Sequence, residues 1–468
     1  MADDLAFISA SSASILASSS ARSFFIFNCF CLLDKSSNSS SSSKIASNQF
    51  EHIDSLALKE DFFKEETIRY EDYIYNDKIK SILLHKRNVE LGEPYLILNS
   101  TDQLILRFDE LDNEFNSYQY QFIHCNSKWE KSNLSEMEYI SGFNDNYFEN
   151  SSKSFNTHQQ YVHYWATFPN EDVNFLVSGN YIVKVFEENN PEKPIFCKKF
   201  YITEQNIQAE INISYPSDIE QKYYQQEVDF NFNYSSNQII DPYSNVNVIV
   251  EQNHRHDNCI SGIEPNFVRE NKLVYNYDKE NVFDGGNEFR YINLTSFQTE
   301  IDRIAKSELT DSTFKITLTA DEKRTFKRYL EKPDINGKLL IKTIDGQDWN
   351  TEGDYANVKF TLPYRKTLDQ GDLYIYGQLS NWKIDPEFQM KYNATTATYE
   401  KELYLKQGYY NYLYLYVNDT TKGADIRHIE GSHFDTENEY IFKVYYSDPG
   451  DFYDRLLLYH VANSRKSF

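Results

Sequence analysis

The residues best suited to chemistry lie in one acidic stretch that contains two adjacent glycines. Residues 278–288 read DKENVFDGGNE. The oxygen donors that this stretch offers to a calcium ion are Asp278, Glu280, Asp284, Asn287 and Glu288. Their spacing is not that of an EF-hand, so a Gly-Gly turn with solvated carboxylates is favoured over a metal site. A metal-dependent hydrolase built on this loop is our third hypothesis.

The two glycines of this stretch carry a separate prediction about the backbone. Gly285 and Gly286 are adjacent, which indicates a turn with positive φ. Residues with a side chain adopt such a conformation only at a cost in free energy. We therefore predict that valine at either position lowers the stability of the protein.

A second group of reactive residue types surrounds two histidines. A nucleophile, a base and an orienting acid are available from His254, His256, Asp257 and Cys259. Neither a Gly-x-Ser-x-Gly elbow nor a Cys-His signature accompanies them, which favours a surface loop. We predict no catalytic residue, no cofactor, no metal site and no enzymatic activity.

Trp382 is the residue that points most directly to sugar. It ends a Gly-x-x-x-Asn-Trp segment at 377–382 that is similar to a segment of early-set immunoglobulin-like modules, including those that bind glycogen and starch. In such modules a tryptophan at this position stacks on sugar or packs at the edge of the sandwich, and we favour packing. Our alternative function is a carbohydrate-binding surface module that uses Trp382 and a neighbouring tyrosine-rich face.

That tyrosine-rich face is predicted from alternation along a strand at 409–417. Its members are Tyr410, Tyr412, Tyr414 and Tyr416. If they face inward, they fill a core with hydroxyl groups that need partners. If they face outward, they form a patch of the kind enriched at protein interfaces. Both alternatives are open, and the full set of candidate interface residues adds Trp382, Asn287 and Phe289.

Apolar and polar residues alternate with a period of two along most of the chain, which is typical of strands. This predicts an all-β protein of tandem immunoglobulin-like or early-set β-sandwich domains in an elongated arrangement. The predicted units are a low-complexity or leader segment at 1–49, a connecting strap at 50–77, a first sandwich at 78–204, a second sandwich at 205–364 and an early-set-like domain at 365–468.

Composition limits the classes of partner. The chain has 71 acidic and 47 basic residues and a net charge of -24. A nucleic-acid binder needs a basic footprint, which is not visible here, and a peripheral helix on anionic lipid is disfavoured for the same reason. Cys125 and Cys197 offer one disulfide if the chain is exported, but buried free thiols are the favoured interpretation.

The N-terminal segment leaves three interpretations open. An apolar run at 23–33 has the length of a signal-peptide core and is too short to cross a bilayer, but two aspartates precede it where a signal needs positive charge. The segment is a misplaced start upstream of a true export signal, a lipoprotein-like leader that uses Cys29 or Cys31, or a disordered tail. No other apolar run is long enough to cross a membrane.

Several motifs occur in an order that resembles the type IX secretion system plug protein family. Those in the first predicted sandwich are LILRFDEL (104–111), FIHCNSKW (122–129), EYISGF (138–143), TFPN (167–170) and SGNY (178–181). Further motifs are QQEVD (225–229), NVFDGGNEFRY (281–291), DING (334–337), KQGYYNY (406–412) and EGSH (430–433). The first 77 residues are not covered by the resemblance.

The resemblance implies a non-enzymatic protein of the periplasm, associated with the inner face of the outer membrane. Such proteins bind a very large outer-membrane translocon β-barrel and seal it when no cargo is present. The resemblance therefore predicts this barrel as the partner of a monomeric plug. It implies neither nucleic-acid binding nor a transmembrane span in the chain itself.

Overall fold

Alternating apolar residues place one face of each strand in a core, and a computed structural model shows the resulting all-β architecture. The structure describes residues 68–235, 238–298, 302–448 and 450–467. The predicted tail at 1–49 and most of the predicted strap lie outside the described residues. The prediction of an all-β fold with several sheets is confirmed.

Residues 68–204 form mostly strands. They are β1 (Tyr73–Ile74), β2 (Ile79–Lys86), β3 (Tyr95–Ile97), β4 (Leu104–Glu110), β5 (Tyr118–Cys125), β6 (Ile140–Gly142), β7 (Asn146–Tyr147), β8 (Asn150–Lys153), β9 (Val162–Phe168), β10 (Val173–Phe175), β11 (Gly179–Glu187) and β12 (Pro194–Thr203). A single-turn helix, α1 (Glu136–Tyr139), precedes β6.

Two sheets of this part enclose one core and form the first sandwich. In one sheet β1, β12, β11, β5 and β7 lie side by side, with β3 parallel to β12. The other sheet is β2-β4-β9-β8. The buried side chains that alternate along β4 and β5 include Leu106, Phe108, Tyr120 and Phe122. β6 and β10 pair as a separate two-stranded sheet.

The two cysteines of this sandwich are buried free thiols. Cys125 lies at the end of β5 and Cys197 within β12, and both strands pair with β11. Burial raises the pKa of each thiol to about 12, so both stay protonated at neutral pH. The prediction that both cysteines are buried free thiols is therefore confirmed.

The rest of the chain contributes further strands and three single-turn helices. Between 205 and 364 these are β13 (Gln208–Ser214), β14 (Gln225–Asn233), α2 (Pro242–Asn245), β15 (Val246–Gln252), β16 (Arg255–Ser261), β17 (Phe267–Arg269), β18 (Lys272–Tyr275), β19 (Val282–Asp284), β20 (Arg290–Asn293), β21 (Ile304–Leu309), β22 (Phe314–Leu318), β23 (Leu339–Ile341), α3 (Trp349–Glu352) and β24 (Tyr355–Pro363). After 364 they are β25 (Gly371–Tyr376), β26 (Lys391–Asn393), β27 (Thr398–Lys406), β28 (Gly408–Asn418), β29 (Ala424–Asp425), α4 (Arg427–Glu430), β30 (Glu439–Tyr446) and β31 (Arg455–Asn463). Short 3₁₀ turns are Ile219–Gln221, Gln378–Ser380, Pro386–Phe388 and Ser464–Ser467.

The sheets of this region do not divide at the predicted boundary at 364. β13-β14-β18-β17 packs on β16-β15-β30-β31, so the last two strands complete a sandwich that begins near 208. β28 pairs with β20, β23, β25 and β29, and packs on β21-β22-β24-β27-β26. Alternation along a sequence identifies a strand and its two faces but not the partner strand. The positions of these pairings were therefore not visible in the sequence.

A buried ion cluster joins the first sandwich to the rest of the chain. One carboxylate oxygen of Asp109 lies 2.6 Å from Nδ1 of His163. The other accepts hydrogen bonds from Nζ of Lys406 and the hydroxyl of Tyr355, each at 2.6 Å. Burial alone would raise the pKa of Asp109, but the charge of Lys406 and the bond to His163 hold it below its usual value. We call these four residues the Asp109 cluster.

The two adjacent glycines differ in why they resist substitution, and this gives a first prediction. Gly286 has a φ of 67°, whereas a Cβ added to Gly285 would lie 2.0 Å from the carbonyl oxygen of His433. We expect Gly285→Ala to lower the free energy of unfolding by about 3 kcal/mol, because backbone must shift. For Gly286→Ala we expect about 1 kcal/mol, mainly from the left-handed conformation, because the added Cβ would meet only the end of the Ile426 side chain, at 3.0 Å from Cδ1. Urea unfolding of both variants tests this, and equal losses would contradict it.

Candidate protein-interaction site

The four alternating tyrosines lie in a core. The buried residues are Tyr410, Tyr412, Tyr414 and Tyr416. Both faces of β28 are covered, because the opposite row of Leu413, Leu415 and Val417 is buried as well. The structure therefore shows the core alternative, and these tyrosines present neither a docking face nor a sugar-binding face.

Their hydroxyl groups find partners inside the chain. Tyr412 and Tyr414 both donate to Oδ2 of Asp321, at 2.6 and 2.7 Å. Tyr410 donates to the carbonyl oxygen of Lys406 at 2.6 Å. A buried phenol is costly unless its hydroxyl is paired, so these bonds explain how tyrosine is tolerated at core positions.

Asp321 belongs to a second buried ion cluster, which lies under β28. Arg290 donates to Asp321 at 2.9 Å and to Glu430 at 2.9 Å. Arg303 contacts Asp321 at 2.6 Å, and Arg324 contacts Glu430 at 2.7 Å. Burial alone would raise the pKa of both carboxyl groups, but the arginines hold each pKa below its usual value. We call these five residues the Arg290 cluster.

The remaining predicted interface residues also contact the body of the protein. Trp382 is half-buried and meets Phe289 and Tyr376 edge to face, with ring centroids 6.1 and 5.8 Å away. Phe289 itself is buried. Asn287 donates through Nδ2 to the carbonyl oxygen of Glu430 at 2.8 Å. These contacts match the packing interpretation of Trp382.

The predicted calcium donors are held by different protein groups. Asp284 forms an ion pair with Arg427 at 3.2 Å. Glu288 pairs with Arg465 at 3.0 Å. Asp284 and Glu288 therefore face different cationic partners and do not converge on one ion. The stretch acts as a structural connection between β19 and β20.

Among the described residues, one group of acidic and histidine side chains has ligand atoms close enough for a single metal ion: Glu93, His254 and Glu439. Its cation is already supplied by the protein, because Nζ of Lys338 lies 2.8 Å from Glu93 and 3.0 Å from Glu439. Burial opposes ionisation of Glu93, but His254 and Lys338 lower its pKa to about 2. The group is a salt bridge across the junction of the first sandwich with β30.

His256, Asp257 and Cys259 of the second reactive group lie on strand β16 instead of the predicted surface loop, and His254 lies in the turn just before it. His256 contacts Glu251 at 3.2 Å, and Asp257 forms an ion pair with Arg255 at 2.5 Å. Burial raises the pKa of the Cys259 thiol to about 12. Alternation along β16 sends neighbouring side chains to opposite faces, so these residues do not assemble a nucleophile with its base.

One edge of the first sandwich exposes large apolar side chains. It consists of residues 136–147, which contain α1 and β6, and residues 170–177, which contain β10. We call these two segments the first-sandwich tip. Met137 is 85% exposed, Phe143 74% and Leu176 47%. With Tyr147, which is 51% exposed, four large apolar side chains therefore meet solvent from a small part of the chain.

Hydrogen bonds hold the backbone of the tip in place. The N–H of Phe143 donates to the carbonyl of Asp172 at 2.9 Å, and the N–H of Leu176 donates to the carbonyl of Tyr139 at 3.0 Å. The hydroxyl of Tyr139 in turn donates to the carbonyl of Phe122 in β5 at 3.1 Å. The exposed side chains are thus mounted on a backbone that is tied to the core sheet.

A glycine and an asparagine make this arrangement possible. Gly142 has a φ of 102°, and an added Cβ would lie 2.0 Å from the carbonyl oxygen of Asp172. Only glycine allows the two segments to approach so closely. The side chain of Asn144 bonds both the N–H and the carbonyl of Phe122, at 2.8 and 3.2 Å, and so replaces a strand partner.

The rim of the tip is entirely acidic. Its charged residues are Glu136, Glu138, Asp145, Glu171 and Asp172, and all five are exposed. An apolar centre with an acidic rim complements an apolar recess edged by lysine and arginine. This surface could not be recognised from the sequence, because an apolar residue in a strand-rich sequence is usually assigned to a core. The motif EYISGF lies within it.

A family model described as "Type 9 secretion system plug protein 1st domain" matches residues 79–204. The chain belongs to the type IX secretion plug family. The match nearly coincides with the first sandwich predicted at 78–204, and it contains the whole first-sandwich tip. Membership associates the chain with the type IX secretion machinery and with a plug-like role.

Solved structures extend the similarity beyond the first sandwich. The crystal structure of a hypothetical protein from Parabacteroides merdae is 32% identical, with a TM-score of 0.82. The alignment covers 85% of this chain and 100% of that chain. No curated protein matches the chain. In the described part of the chain, every helix is too short to span a bilayer.

Proposed function

We propose that this plug-family protein is a non-enzymatic periplasmic plug that binds the outer-membrane translocon channel of the type IX system and seals it when no cargo is present. The observation that carries the proposal is the family match over residues 79–204. Within the matched range, the first-sandwich tip is the surface best suited to hold a partner. The chain acts as a monomer on the inner face of the outer membrane.

The physical demands on such a plug fit the described structure. A channel wide enough for proteins leaks unless a stopper closes it, and a stopper must keep its shape. The Asp109 cluster and the Glu93–Lys338 salt bridge tie the first sandwich to the rest of the chain. Because the tip is already ordered, docking costs little conformational entropy. Release by cargo is then a population shift that is driven by differential affinity.

Opposite charges on the plug and on the barrel would guide their association. The net charge of -24 keeps the free protein soluble, and the acidic rim of the tip favours approach to a basic rim on the barrel. The exposed Met137 and Phe143 then enter an apolar recess, where truncation of a central anchor typically costs about 2 kcal/mol or more. The acidic rim sets the rate of association, and the apolar centre sets the lifetime of the complex.

Capture of the barrel from host envelopes tests the proposal. The full chain, with a C-terminal tag, is expressed in its host, and complexes are isolated in mild detergent. We expect a very large outer-membrane β-barrel in near-equal amount. Met137→Ser/Phe143→Ser is expected to reduce this capture by roughly tenfold or more, since two exposed anchors are lost.

The matched control is Phe267→Ser/Leu309→Ser, which changes two exposed apolar side chains on β17 and β21, outside the tip. This variant should capture the barrel as the unmodified chain does. Isolation of the tagged chain without any barrel would contradict the proposed function. Equal capture by all three proteins would keep the plug role but remove the tip from the interface.

A further inference from the structure

The most exposed large apolar side chain of the described structure lies far from the tip in sequence. Phe326 is 95% exposed, and Leu330, four residues later, is 65% exposed. Both belong to residues 322–332, which read EKRTFKRYLEK and connect β22 to β23 without regular structure. We call this segment the 322–332 loop. An apolar side chain in this position gains nothing from the fold itself.

Hydrogen bonds to the backbone of residues 428–429 hold the loop in place. The N–H of Arg324 donates to the carbonyl of Ile429 at 2.8 Å, and Oγ1 of Thr325 donates to the carbonyl of His428 at 2.7 Å. The N–H of Lys327 closes a turn on the carbonyl of Arg324 at 2.9 Å. Phe326 therefore occupies the apex of a turn that the protein holds in place.

The charge of the loop is opposite to that of the chain. Five basic and two acidic residues give it +3, whereas the whole chain carries -24. Its two acids are already paired, Glu322 with Lys327 and Glu331 with Arg465. Arg328 has no salt bridge within the described part of the chain. Arg324, which precedes Phe326, is paired with Glu430, so the cations beside the apolar apex are Lys327 and Arg328, which follow it.

We propose that the 322–332 loop binds an anionic phospholipid surface, with Phe326 and Leu330 inserted at headgroup depth and the flanking cations at the phosphates. Charge complementarity selects this occupant: a strongly basic loop of an acidic chain carries the protruding apolar apex. Long basic side chains keep their charge at the interface while their stems lie along apolar groups. A protein socket is the less favoured partner, because a single apex offers far less area than a stable interface needs.

This inference goes beyond the proposed function and does not depend on it. The exclusion of a peripheral helix on anionic lipid rested on the charge of the whole chain, whereas the loop presents its charge locally. A loop of this kind would hold the protein beside a membrane even when no barrel is bound. Its test needs only the purified full chain and vesicles, so its failure is distinct from a failure of barrel capture.

Vesicle flotation at low salt tests the inference. The probes are vesicles of phosphatidylethanolamine with phosphatidylglycerol, and vesicles of phosphatidylcholine alone. We expect binding to the anionic vesicles that is lost at high salt. Phe326→Ser is expected to weaken this binding roughly tenfold, because one inserted aromatic side chain is removed. Lys327→Glu/Arg328→Glu should abolish it, since each basic residue near the surface contributes about fivefold.

Phe267→Ser is the matched control, because Phe267 is also an exposed phenylalanine, on the edge strand β17. It should bind anionic vesicles as the unmodified chain does. Equal retention on anionic and neutral vesicles would overturn the inference, and so would unchanged binding by Phe326→Ser. Loss of barrel capture by Phe326→Ser without any vesicle binding would also overturn it and would assign the loop to a protein partner.

Discussion

Replacing Arg290 with methionine is expected to lower the free energy of unfolding by about 3–5 kcal/mol, which is typical when one partner of a buried ion pair is removed. Arg290 is 5% exposed and contacts both Asp321 and Glu430. Methionine preserves much of the side-chain volume but leaves two buried carboxylates with one arginine each. The pKa of each carboxyl group should then rise, because the charge that lowered it is gone.

The measurement is the urea midpoint of the full-length variant beside that of Arg269→Met. Arg269 lies on edge strand β17, is exposed and forms no salt bridge in the described part of the chain. The control should lose less than about 0.5 kcal/mol. Equal midpoints for the two variants would show that the Arg290 cluster does not support β28.

Asp109→Asn is expected to have an effect of similar size at a different place, about 3 kcal/mol or more. Asparagine keeps the shape of the side chain but removes the charge that faces Lys406, and both residues are almost fully buried. The ammonium of Lys406 then has no counter-charge within the Asp109 cluster. Because this cluster joins the first sandwich to the rest of the chain, the loss should also loosen that junction.

The pH dependence of this loss identifies its cause. The pKa of Asp109 lies below its usual value, so its contribution to stability is present above pH ~4 and disappears as the pH falls through the folded-state pKa. The difference between the unmodified chain and Asp109→Asn should therefore be large at pH 7 and should shrink below pH ~4. A difference that persists unchanged into acid would indicate lost packing instead of lost charge.

Asp112→Asn is the control for this experiment. Asp112 lies just after β4 and forms an ion pair with Lys78 at 2.7 Å. This pair is largely exposed, and such pairs contribute little to stability because solvent screens them. Urea midpoints of the two variants at neutral pH should therefore differ clearly. If Asp112→Asn lowered the free energy of unfolding as much as Asp109→Asn does, burial of the ion pair would not explain the size of the effect.

How far the sequence could predict the structure is shown best by β28. Alternation located the strand and separated its two rows of side chains correctly. It did not reveal that both rows are buried, because that depends on partners such as β20 and β25, which are distant in the chain. The same limit explains the boundary predicted at 364, which β30 crosses when it pairs with β15.

The two ion clusters and the candidate site could not be predicted from the sequence, for a related reason. Arg290 and Glu430 are 140 residues apart, and no local pattern connects them. In the tip, Met137 and Phe143 have the residue types of a core, and only the folded backbone shows that they face solvent. The motifs did identify the family. Their residues and their order along the chain can be compared with a known family without knowing which residues are in contact.

Site-specific photo-crosslinking in host envelopes tests the plug proposal most directly. A photoreactive phenylalanine analogue replaces Phe143 in the tip in one protein, and Phe267 on β17 in another. We predict that irradiation joins position 143 to a very large outer-membrane β-barrel, whereas position 267 gives no such product. Crosslinks to the barrel from 267 but not from 143, or from neither position, would contradict a plug that docks through the first-sandwich tip.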